Sequence, residues 1–131
     1  MNLTRESIGD ALDVYAKHHG STVYEMPGSE CKYVEWDFDT CTLVGGCLYG
    51  HVMTDLGMSL ETLADNWEGK EINAILKSYG VDDARLINAA LCSQRVQDTC
   101  ELSWAHAVQT FHAILELGTR DIDANAIYGN D

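Results

Sequence analysis

GGCLYGHVMTDLG, residues 45–57, is the stretch on which the fold turns. Upstream of it the apolar residues alternate, and within it they move to helical spacing. Two adjacent glycines let the chain turn where a side chain would obstruct it. Leu48, Val52, Met53 and Leu56 then fall on one face of a helix running from about Cys47 to Leu56, and Gly57 supplies its stop. The same stretch places Cys47, His51 and Asp55 one turn apart, so they form a stripe along that helix.

Working back from Gly45, the segments KYVEW (32–36) and CTLVG (41–45) are short, β-branched and aromatic, with DFDT (37–40) between them. They predict a two-stranded hairpin over about 32–45. Pairing Trp36 with Cys41 and Val34 with Leu43 puts these four residues on one apolar face. Tyr33 and Glu35 then lie with Val44 and Thr42 on a mixed, wetter face.

The rest of the chain is helical in pattern. A first helix is expected from the N-cap Thr4 to about His18, with Ile8, Ala11, Leu12 and Tyr15 inward and Gly20 beyond it. EMPGSE (25–30) reads as a loop around the single proline. Ser59 caps a further helix bearing Leu60, Leu63, Ala64 and Trp67, and Gly69 interrupts it. Ile72, Ile75, Leu76 and Tyr79 make a short helix ending at Gly80. Asp82 or Asp83 caps a longer one through Leu86, Ala90, Leu91 and Val96, with Cys92 and Cys100 flanking its end as core filler. Ser103 caps the last, in which Trp104, Ala107, Val108, Phe111 and Leu115 face inward and Gly118 stops it. The expected fold is mainly α, five or six short helices packed around the hairpin. It forms one globular domain over 1–117, followed by a polar tail, GTRDIDANAIYGND, over 118–131.

Charge narrows the function classes. With 21 acidic against 8 basic side chains the formal net charge is −13, and the cations are scattered along the sequence. A phosphate backbone would be repelled, so direct nucleic-acid binding is not expected, whereas a basic protein partner is compatible. An acidic mimic of DNA is a further alternative, but it needs carboxylates spaced like phosphates along one face. Here the acids fall on opposite faces of several helices. The segment MNLTRESIGDAL has no basic stretch followed by an apolar run, and no window reaches the ~18–20 apolar residues of a membrane span. Five cysteines without framework spacing suggest reduced thiols, so a cytoplasmic location is expected.

Two kinds of chemistry suit the stripe. A thiol at a helix N-terminus has its thiolate favoured by the helix dipole, and His51 with Asp55 one turn further on could act as base and orienting acid. That makes Cys47, His51 and Asp55 the candidate catalytic residues. Against this, an imidazole on the same helix flank does not approach sulfur from the substrate side. The bland alternative is a small thiol packed under the hairpin.

A Cys₃His zinc site of Cys31, Cys41, Cys47 and His51 has suitable ligand types but lacks a paired knuckle. The expected register also puts Cys31 opposite Gly46 and Cys41 some ~16 Å away at the other end. The candidate ligands are then Cys31, Cys47 and His51, with a fourth from elsewhere. A Cys31–Cys47 disulfide would not persist in a reducing cytosol. Gly45–Gly46 lacks the lysine of a phosphate loop and is flanked by Glu35, Asp37 and Asp39, so no nucleotide is expected. His18 and His19 suit a helix C-terminus, and His106 and His112 read as helix-surface residues. No cofactor motif is present.

At CLYGHVMTDLGM (47–58) and QRVQDTCELSWAHAV (94–108) the chain resembles a group of small proteins of actinobacteria and their phages. These pair a C-L-x-G-x-x-L-x-x-x-G motif after a short hairpin with a later Q-x-x-Q-D-x-G-x-x-W-x-x-A motif. The resemblance covers roughly 33–115, and Cys100 stands where the second motif has glycine. It implies a setting, an accessory protein of a phage or its host, and no mechanism; small phage accessory proteins often engage host proteins, so a protein partner, with a host protein as one candidate, is expected. The matching positions Cys47, Gly50, Gly57, Gln94, Gln97, Asp98 and Trp104 all admit structural roles, and Gln97 and Asp98 equally a binding role. The reading is therefore a protein-binding accessory protein. A small cysteine-dependent enzyme or metal-binding domain built on Cys47 and His51 is the alternative.

Overall fold

The computed structural model describes residues 1–24, 32–99 and 102–117. Among the described residues the chain is mainly helical, with one antiparallel two-stranded sheet. In order it forms α1 (Arg5–His19), β1 (Val34–Asp37), β2 (Thr42–Gly45), α2 (Leu48–Asp55) and α3 (Leu60–Thr62). A π-helical turn (Leu63–Trp67) extends α3, and α4 (Ile72–Ser78), α5 (Ala84–Thr99) and α6 (Trp104–Leu117) follow. The tail expected over 118–131 and the loop over 25–30 lie outside the described residues.

Local caps set most of the helix starts. Thr4 and Ser7 form a reciprocal capping box on α1. Ser59 accepts from the Thr62 N–H, Asp83 from Leu86 and Ser103 from His106. Gly57, Gly69 and Gly80 all have positive φ and end the segments before them. Helices α5 and α6 pack along each other, α1 lies on α6, and α4 lies on α5. Their inward stripes bury Ile8, Leu12, Leu86, Ala90, Phe111 and Ile114 in one core with Leu48, Val52 and Met53 of α2. Helix α5 runs on to Thr99, so Cys92 sits within the helix, half-buried, and does not flank its end.

The hairpin departs from the expected pairing. Val34 pairs with Gly45, Trp36 with Leu43 and Asp37 with Thr42, a shift of two residues. The turn is therefore Phe38–Cys41. Asp37 starts it by accepting the Asp39 N–H at 2.9 Å, and Cys41 takes φ 53°. Cys41 is exposed in that turn and does not join the apolar face. Trp36 is 49% exposed, while Tyr33, expected on the wetter side, is fully buried. The Tyr33 hydroxyl donates to the Lys70 carbonyl at 2.6 Å and accepts from Gln94 Nε2 at 2.8 Å, which satisfies its polar end inside the core.

Candidate functional site

The hairpin closes directly onto α2. Gly46 and Cys47 donate their N–H groups to the carbonyls of Tyr33 and Lys32 at 2.9 and 3.0 Å. It is thus position 33, not Cys31, that faces Gly46; Cys31 itself lies outside the described residues. Gly50 lies against the Tyr33 carbonyl so closely that a Cβ would stand 2.8 Å from its carbon. The glycines are therefore requirements of close packing.

Cys47 is the N-cap of α2 with extended φ/ψ, and it is fully buried. Its side chain makes no cap bond. Instead the Leu48 N–H at the helix start goes to Gln97 Oε1 at 2.7 Å. An amide oxygen, rather than a thiolate, thus answers the dipole. His51 lies over Gly45, where a Cβ would be 2.6 Å from Nδ1. It also sits between the rings of Tyr15 and Trp104, with centroids at 5.4 and 5.6 Å. Burial lowers its pKa from the ordinary histidine value and His19 adds to the effect, while Asp55 and Glu35 oppose it. Asp55 accepts the Tyr15 hydroxyl at 2.7 Å, and that phenol's pKa is raised by burial and by this bond. The stripe foreseen along α2 therefore exists, but each member has its own partners. Among the described residues no side-chain hydrogen bond joins Cys47 to His51 or His51 to Asp55; the Cys47–His51 link is the helix's own backbone bond, the His51 N–H donating to the Cys47 carbonyl at 3.2 Å. Among them, too, no three His, Cys, Asp or Glu side chains are grouped so as to hold a metal ion.

The second motif works inside the fold. Gln94 and Gln97, one turn apart on α5, are both buried. Gln97 caps α2, and Gln94 Oε1 accepts the Ile72 N–H at 2.7 Å, capping α4. These are the two helices whose own N-cap residues, Cys47 and Glu71, supply no side-chain bond. Gln97 Nε2 passes on to Asp98 at 2.8 Å. The signal in the sequence was the lack of a Ser, Thr, Asp or Asn before either helix. The Tyr49 hydroxyl, fully buried in this core, lies beside Ser93, whose own hydroxyl donates to the Ala107 carbonyl at 2.6 Å. Burial raises that phenol's pKa.

The hairpin is open to solvent. Trp36 and the 83%-exposed Phe38 meet edge to face at 6.5 Å, beside half-buried Leu43. A shallow cleft of about 350 Å³ runs from them to Ala64 and Glu68. Glu35 and Glu68 line this cleft, Asp37 and Asp39 follow on the adjoining strand end and turn, and Lys32 pairs with Glu68 at 3.7 Å. Exposed aromatic pairs of this kind are costly to leave in water and are enriched where proteins bind one another. Trp36, expected on the apolar face of the hairpin, is thus left half exposed.

No helix among the described residues is long and apolar enough to cross a membrane. Comparison with protein-family models, curated proteins and solved structures finds no match for this chain.

Proposed function

We propose that this is a binding protein whose contact surface is the hairpin face of Trp36, Phe38 and Leu43. The partner is a protein segment with an apolar anchor flanked by Lys or Arg. The exposed Trp36–Phe38 pair carries the reading. The surrounding Glu35, Asp37 and Asp39 supply the charge complementarity. The burial of Cys47 and the separate partners of His51 and Asp55 favour binding over cysteine chemistry on α2. The setting, an accessory protein of an actinobacterial phage or its host, rests on the resemblance of the two motifs.

The test is affinity capture from an actinobacterial lysate with the wild-type chain, the Trp36→Ala/Phe38→Ala variant and a Val14→Ser control. Val14 is exposed on α1, away from the hairpin in sequence. The expected result is a protein with a basic contact segment that is lost with the hairpin variant, retained with the control and released by salt. If every captured protein survives the double substitution in a folded variant, the reading is overturned.

A further inference from the structure

The cations that are scattered in sequence are partly gathered in space. A cleft of about 950 Å³ opens between the start of α1, the α4–α5 connection and α6. Its volume is within the ~300–1,000 Å³ of small-molecule sites. Arg5, Lys77 and Arg85 line it, three of the 8 basic residues in a chain with 21 acids.

The acids there are unequally available. Arg5 grips Asp83 through two bonds of 2.6 and 2.9 Å, and Asp83 also accepts the Leu86 N–H. Its carboxylate is thereby spent on the fold, and its pKa is held below the usual carboxylate value chiefly by Arg5. Asp82 is the other acid on the cleft. Lys77 has no ion-pair partner among the described residues, and Arg85 reaches only the Leu115 carbonyl at 3.4 Å. Beside these two cations lie half-buried Ile87 and Leu91 and buried Ile114, with Asn73 and Asn88 as neutral hydrogen-bonding groups.

We propose that this cleft binds a small amphipathic anion, its head group held by Lys77 and Arg85 and its hydrocarbon part against Ile87, Leu91 and Ile114. The site is independent of the hairpin surface. An unpaired ammonium and a guanidinium beside apolar side chains match a ligand that is charged at one end only.

Decanoate, below its micelle concentration, is the probe, followed by calorimetry and by methyl NMR of the full chain. Saturable binding is expected, with shifts at Ile87, Leu91 and Ile114. The Lys77→Gln/Arg85→Gln variant should bind at least about tenfold more weakly, since it removes both charges without touching the core. Decanol should bind at least about tenfold more weakly than decanoate, and inorganic phosphate should be weaker still. Trp36→Ala should leave the affinity unchanged. Absence of saturable binding, shifts elsewhere, an unaffected double variant, or phosphate binding as tightly as decanoate would each overturn the proposal.

Discussion

Gln97 reaches across 49 residues of sequence to accept the backbone N–H of Leu48 at 2.7 Å, capping a helix that cannot cap itself. Three residues earlier on α5, Gln94 does the same for Ile72 of α4 and also donates to the Tyr33 hydroxyl. Replacing either with leucine removes the acceptor but leaves a buried N–H unpaired. Each change should destabilise the fold by about 1–3 kcal/mol, read from urea unfolding midpoints. Gln94→Leu also removes the donor to the Tyr33 hydroxyl, whose bond to the Lys70 carbonyl stays in place. A loss under about 0.5 kcal/mol for either would show that the caps are dispensable.

Gly50 is the point of closest approach between α2 and the hairpin. A methyl there would meet the Tyr33 carbonyl, which is fixed by its bond from the Gly46 N–H. Backbone cannot swing aside as a side-chain end can, so Gly50→Ala should cost about 3 kcal/mol or more. Gly57, with φ 113° and open space around its Cβ position, offers the contrast. Gly57→Ala should cost about 1–2 kcal/mol of backbone strain alone. Thermal melts of the two variants should rank in that order.

Helix starts were readable because Thr4, Ser59, Asp83 and Ser103 act within three residues of themselves. Hairpin register was not. Alternation distinguishes a slip of one residue, which exchanges the faces, but not a slip of two, which preserves them. Val34, Trp36 and Leu43 share a face in either pairing. What selects the observed one lies outside the strands: the Asp37–Asp39 turn and the burial of Tyr33 by Gln94 and Lys70. The stripe on α2 was likewise readable as helix geometry, but its partners were not. Tyr15 and Trp104 come from α1 and α6, and no local pattern announces that they enclose His51.

The thiols should differ in reactivity according to their surroundings. Cys41 is exposed in the turn, Cys92 is half-buried with a pKa raised by burial, and Cys47 is fully enclosed. Under a short pulse of iodoacetamide at neutral pH, mapped by peptide mass spectrometry, Cys41 should be modified first and Cys92 later. Cys47 should follow at least about tenfold more slowly than Cys41, because it must wait for an opening of the structure. Selective labelling of Cys47 in the folded protein would instead return the α2 stripe to consideration as a nucleophile.

His51 should make stability depend on pH near neutrality. Its ring is held between Tyr15 and Trp104, so burial, the largest effect, disfavours the imidazolium and, with a smaller repulsion from His19, outweighs the attraction of Asp55 and Glu35. The folded-state pKa is thus below the ~6.5 of an unfolded histidine. Between the two values the unfolded chain binds the extra proton, so stability rises with pH across that window. The contribution of neutral His51 is complete above pH ~6.5 and is lost as the pH falls through the unfolded value toward the folded one. Urea midpoints should therefore be lower at pH 5.5 than at pH 7.5, and His51→Gln should reduce that difference. NMR titration of the ring, assigned by comparison with the variant, measures the shift directly, and a His51 pKa at or above the unfolded value would contradict the enclosure described.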